Sequence, residues 1–96
     1  MSLIEFITFR LAEGVTDESF LELDRRIQTQ LVYQQPGLLR RTTARHGEDW
    51  LVATIWASDA DASAFQRDVG QHPLQVEFLH SLEAGTLHMT RYTTLD

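Results

Sequence analysis

Two stretches of this chain are apolar on both alternating faces of a strand, and that pattern dictates what must cover them. In residues 3–11 one parity set is Ile4, Phe6 and Thr8 and the other is Ile7, Phe9 and Leu11; in residues 50–57 Val52 and Trp56 alternate with Leu51, Ala53 and Ile55. Successive side chains of a strand point to opposite sides of a sheet, so one layer of helices covers only one of the two sets. Each large apolar side chain on the uncovered side is worth roughly 1.5–3 kcal/mol when fully buried, which makes a bare second face a liability. A 96-residue chain reads as one domain spanning residues 1–96, with no second domain to provide a cover. The economical cover is a second copy of the same sheet, and an isologous patch closes on itself as a twofold homodimer.

The rest of the chain supplies the helices. After the first strand, closed by Gly14, Thr16 or Asp17 is placed to cap a helix carrying Phe20, Leu23, Ile27 and Leu31 on one stripe. That helix is expected to end near Gln34, ahead of Pro36 and Gly37. Leu38 to His46 reads as a second strand, Gly47-Glu48-Asp49 as a turn, and Trp50 to Ala57 as a third strand. Ser58 with Asp61 resembles a capping box, although Glu or Gln is the usual partner there, and it opens a short helix through Phe65 and Val69 that Gly70 stops. Pro73 suits the first turn of a further helical segment with Leu74, Phe78 and Leu82 on one face, closed by Gly85, and Thr86 to Thr94 makes a fourth strand. The order β-α-β-β-α-β, with an extra helical piece, is that of an α+β, ferredoxin-like antiparallel sheet with its helices on one face.

Composition removes several function classes. With 43% hydrophobic and 23% charged residues the chain has no sign of disorder. Fourteen acidic against eight basic residues, a net charge of -6, argue against nucleic acid or an anionic membrane surface as a partner. Arg40, Arg41 and Arg45 share one strand, where they serve either as a local anion site or as a solvated edge that discourages aggregation. The absence of cysteine excludes disulfides, thiolate nucleophiles and iron–sulfur ligation, and fits a cytoplasmic setting. The N-terminal MSLIEFITFRLAEG carries Glu5 and reads as a strand, not a secretory leader. No apolar run approaches the ~18 residues that a membrane span requires.

The segment QPGLLRRTTARHGEDWLVATIWASDADASAF, from Gln35 to Phe65, resembles the middle of antibiotic-biosynthesis monooxygenase-like domains of the dimeric α+β barrel superfamily. In those domains a Pro-Gly precedes the second strand and a Trp-x-Ser closes the third before an alanine-rich helix; here these are Pro36-Gly37 and Trp56-Ala57-Ser58. The resemblance implies a menu of activities: cofactor-independent oxygenases of aromatic polyketides or quinols, haem-degrading enzymes, and members without a known reaction. Many relatives carry a histidine in the second helix where Phe65 stands. The haem-degrading branch uses an asparagine, a tryptophan and a histidine, whereas this chain has no asparagine and places Phe65 and Gln75 at the other two positions.

Against that background His72 is the candidate general base, since related domains place pocket-lining groups near that helix connection and imidazole titrates near neutral pH. Its other reading is a helix-start residue bonded to nearby backbone. Trp56, Phe65, Phe20 and Tyr92 are the candidate substrate-binding residues, for a small hydrophobic or aromatic ligand. Trp56 and Trp50 serve equally as core packing, and Tyr33 shares the ambiguity of Tyr92. Glu5 interrupts the apolar set of Leu3, Ile7 and Phe9, where it pairs with Arg41 or Arg91 in a strand-edge ion pair or tunes a pocket. His46, His72, His80 and His88 are scattered, so no metal is expected. No phosphate loop or nucleophile elbow occurs, and no flavin, nicotinamide or other cofactor is expected. The activity these features imply is a cofactor-independent monooxygenase of a phenol or quinol; the alternative is a noncatalytic dimeric ligand-binding or stress-response module.

Overall fold

The computed structural model describes residues 1–95 and contains β1 (Leu3–Phe9), α1 (Asp17–Gln30), β2 (Leu38–His46), β3 (Asp49–Trp56), α2 (Asp59–Asp68), α3 (Pro73–His80) and β4 (His88–Thr93). All strand pairings are antiparallel, in the order β2-β3-β1-β4, which is the ferredoxin-like arrangement. The first strand is shorter than residues 3–11: Leu11 instead forms an isolated bridge with Leu82. β2 has the expected bounds, and Leu39 is the extra residue of a bulge that turns its side chain toward solvent.

Each helix begins at a side chain that satisfies an orphan backbone N–H. Thr16 caps α1 by accepting from the Ser19 N–H at 3.1 Å, ahead of a buried stripe of Phe20, Leu23, Asp24 and Ile27. α1 stops at Gln30, and the chain tightens into a 3-10 turn, Val32–Gln34, that tucks Val32 into the core before Pro36. Ser58 caps α2 by accepting from the Asp61 N–H at 3.1 Å, and its hydroxyl donates to Asp61 Oδ2 at 2.9 Å. The short Asp61 carboxylate therefore takes the serine hydroxyl, which explains how Asp serves where Glu is usual.

The helices cover one face of the sheet. Phe9, Phe20, Trp50 and Phe78 interlock at the β2–β3 turn end, with Phe20 and Trp50 4.9 Å apart edge to face. Trp56 and Phe65 pack 5.2 Å apart at the opposite end. The other face carries Ile4 and Phe6 of β1, Leu51, Ala53 and Ile55 of β3, and Tyr92 of β4, and among the described residues no helix or strand lies over it. Phe6 and Tyr92 meet edge to face there at 5.7 Å.

Gly37 shows how tightly β2 begins. Its φ is +82°, a Cβ at this position would lie 2.2 Å from Asp61 Oδ2, and its carbonyl accepts from the Ala57 N–H at 2.7 Å. Gly37→Ala is expected to destabilise the fold by about 1–3 kcal/mol in urea unfolding, from left-handed strain and the collision with the α2 cap. Gly70→Ala, at a position with open space and no positive φ, is the control and stays within about 0.5 kcal/mol of the parent.

Candidate functional site

The register places a row of polar residues across the middle of the helix-covered face. Arg41 pairs with Thr54, Thr54 with Glu5 and Glu5 with Arg91, so one transverse line runs Arg41–Thr54–Glu5–Arg91 through all four strands. Apolar residues flank this row, with Trp56 and Leu3 on one side and Val52 and Ile7 on the other. Glu5, Arg41 and Thr54 are buried, which places charge where burial is expensive unless it is paired.

Both cations are paired. Arg91 donates through Nε to Glu5 Oε2 at 2.9 Å. Arg41 Nη2 lies 2.8 Å from Asp24 Oδ1, with both side chains at most 5% exposed, although the alignment is that of an ion contact and not of a directed hydrogen bond. Asp24 Oδ2 accepts from the Thr43 hydroxyl at 2.8 Å and from Gln28 Nε2 at 2.9 Å, which fixes the carboxylate on the inner face of α1. Among the described residues two donors remain without partners although buried: Trp56 Nε1 and Arg91 Nη2. A buried orphan donor marks a place where a bound molecule or water belongs.

A cavity of about 60 Å³ lies over this row, between the sheet and the helices. Glu5, Arg41, Thr54 and Trp56 form its sheet side, and Phe65, Gln66 and Gln75 come from α2 and α3. That space takes a few waters, at about 10–15 Å³ for each, and is well below the roughly 300 Å³ at which pockets enclose drug-sized ligands. A larger open groove of about 490 Å³ lies beside the β2–β3 turn, but both of its arginines are already engaged. Arg10 holds Asp49 at 2.9 Å, and that hydrogen bond raises its pKa further above the ordinary arginine value. Arg45 pairs with Asp17 and stacks 5.3 Å over Trp50.

The residues singled out from sequence do not converge. Trp56 and Phe65 line the cavity together. Phe20 lies in the aromatic cluster with Phe9, Trp50 and Phe78 and is not part of the cavity wall. Tyr92 points to the uncovered face, on the other side of the sheet. His72 is the N-cap of α3, its Nδ1 accepting from the Leu74 N–H at 3.1 Å, and it does not line the cavity. Arg40, Arg41 and Arg45 point to different places: Arg40 lies on the uncovered face, Arg41 on Asp24, and Arg45 on Asp17 and Trp50. Among the described residues no three His, Asp or Glu side chains gather as a metal site, and no helix is long and apolar enough to cross a membrane.

Asp24 is the residue that the sequence reading missed. It lies four positions after Phe20 and three before Ile27, on the buried stripe of α1, so an acidic residue within a helical apolar stripe was the available signal.

No family model matches the sequence, and no curated protein matches it. Solved structures do resemble the fold. SnoaB, a cofactor-independent oxygenase from Streptomyces nogalater, superposes with a TM-score of 0.81 at 14% identity, over 99% of this chain and 94% of that one. A protein from Nitrosomonas europaea whose name marks it as a candidate antibiotic biosynthesis monooxygenase gives 0.78 at 13% identity, over 98% and 90% of the two chains. Rv0793 from Mycobacterium tuberculosis gives 0.76 at 11%, over 100% and 97%. At such identities the agreement establishes the ferredoxin-like fold of antibiotic biosynthesis monooxygenase-like proteins.

The buried pair separates sharply from surface pairs in its expected energetics. Asp24→Ala leaves Arg41 uncompensated in the interior and is expected to lower the unfolding free energy by about 3–5 kcal/mol. Glu22→Ala, which removes the exposed Glu22–Arg25 pair of the same helix, should leave the unfolding midpoint essentially unchanged in the same denaturation series.

Proposed function

We propose that this chain is a cofactor-independent monooxygenase acting on an aromatic phenol or quinol held between sheet and helices, and that it works as a homodimer. The observation that carries the reading is a buried cavity lined by Trp56, whose indole N–H has no partner, and by the Glu5 carboxylate. An oxygen-bearing ring placed there gains stacking on the indole and a hydrogen bond to Nε1. Removal of a proton makes such a ring electron-rich enough to reduce oxygen. In the keto tautomer of such a phenol the ring CH2 and O2 become C=O and H2O, and no flavin or metal enters the balance. The protein supplies desolvation, orientation and a proton acceptor. His72 is the base that the sequence singles out, and Glu5 is the one the cavity adds.

Entry of a ring requires the cavity to widen. α2 buries only Ala62 completely, so it is the wall that yields most readily. A second reading rests on the same dimension: a site of about 60 Å³ suits a noncatalytic module that holds a small ligand or none.

The dimer is supported by the bare face of Ile4, Phe6, Leu51, Ala53, Ile55 and Tyr92, a patch that a second sheet buries and that its own helices leave open.

Purified protein is expected to consume oxygen with a panel of quinols and anthrones, and to do so in the presence of a metal chelator. Trp56→Phe, which keeps a ring and loses the donor, should lower kcat/KM by roughly 10²-fold. Native mass spectra showing a bound small molecule, together with no oxygen uptake across the panel, would establish the second reading instead. Light scattering at micromolar concentration should give a single dimer mass, and Phe6→Asp with Ile55→Asp should convert it to a monomer; a monomeric parent would refute the pairing.

A further inference from the structure

We infer that Arg41 is the cation that receives the ionised oxygen of the ligand, that Asp24 is the residue that positions it, and that the site therefore selects phenols that bind as phenolates. This rests on the reading of the cavity as a ligand site.

A guanidinium carries five N–H donors in one rigid plane. Among the described residues those of Arg41 make one long hydrogen bond, Nη1 to Thr43 Oγ1 at 3.4 Å, and the Nη2 contact with Asp24 at 2.8 Å. The side chain is only 5% exposed and lines the cavity, so that space is the one open to the donors that Thr43 and Asp24 leave unused. Asp24 is itself held by Thr43 and Gln28, so the guanidinium is pinned from the α1 side before any ligand arrives. Such an arrangement costs no reorganisation when charge develops beside it, which is what makes a preorganised donor effective.

The row also supplies the proton acceptor. Arg41 and Glu5 stand on either side of Thr54, two strand spacings apart, which is roughly 10 Å. A phenolic oxygen over Thr54 lies between them, near the free N–H of Trp56. Its O–H bond breaks as an O–H bond forms on the Glu5 carboxylate, and the electron pair stays on the oxygen, facing Arg41. The other charged groups of the region are already balanced, Asp24 by Arg41 and Glu5 by Arg91, while α2 and α3 contribute the uncharged Gln66 and Gln75. Once Glu5 takes the proton, Arg41 and Arg91 outnumber the remaining carboxylate Asp24, so the site gains a net positive charge to match the phenolate.

The test uses para-nitrophenol, whose ionised form is yellow, titrated into the whole protein over a range of pH. The bound probe is expected to ionise about one pH unit or more below the free probe, at least a roughly tenfold preference for the phenolate. Arg41→Met combined with Asp24→Asn removes the cation without stranding its partner, and the bound probe should then ionise at or above the pH of the free one. Asp24→Asn alone keeps the cation, which the carboxamide oxygen can still hold in place, and removes the competing carboxylate, so the downward shift should persist or grow, whereas a purely structural pair predicts no such gain; the titration of the parent protein tests the inference even where a variant fails to fold. Binding with no downward shift in the parent protein, a shift that survives in the double variant, or a shift lost in Asp24→Asn would each overturn the role of Arg41 while leaving the cavity as a ligand site. Absence of any binding would sink the cavity reading and this inference with it.

Discussion

The structure depends on keeping a line of charge buried beneath its helices. Arg41, Thr54, Glu5 and Arg91 cross the sheet in one row, and the two arginines are tolerated there because Asp24 comes down from α1 and Glu5 stands in β1. Neither pair is complete within its own element. The Arg41–Asp24 contact requires α1 to dock on β2 at one rotation, and the Glu5–Arg91 bond requires β4 to insert beside β1 in one register. The apolar rows on either side provide most of the burial, and the charges specify which alignment of helix and strand is accepted.

The same row divides the interior into parts with different chemistry. At the β2–β3 turn end, Phe9, Phe20, Trp50 and Phe78 fill the space with rings in mutual contact. At the other end Trp56 packs against Phe65. Over the polar row the packing is incomplete, since two charged side chains and a threonine cannot interdigitate with Ile27 and Val32 as leucines would. A cavity is the consequence, and it is lined by the groups most able to bind an oxygen atom. Stability and a candidate site thus arise from one arrangement, in which the residues least suited to a core hold the space open.

Much of the fold was legible from periodicity and caps. The two apolar parities of β1 and β3, the stripe of α1, the turn at Gly47 and the serine cap of α2 each follow from a local rule, and each appears in the structure with small shifts at its ends. The site was far less legible. His72 drew notice as a titratable residue near a helix start, and it is the cap of α3. Arg40, Arg41 and Arg45 are neighbours in sequence, yet the pleat and the bulge send them to separate surroundings. Asp24 was overlooked because an acidic residue on a surface helix is ordinary until its partner across the interior is known.

What the chain determined by itself is the identity of its elements and the need for a cover on both sides of the sheet, because side-chain direction along a strand or helix is set by local backbone geometry. Only the tertiary structure decided which parity of β1 meets the helices, and therefore that Glu5 is buried while Phe6 is left on the open face. It also decided which carboxylate neutralises which arginine, since those partners lie 17 and 86 positions apart, and long-range register cannot be read from spacing along the chain.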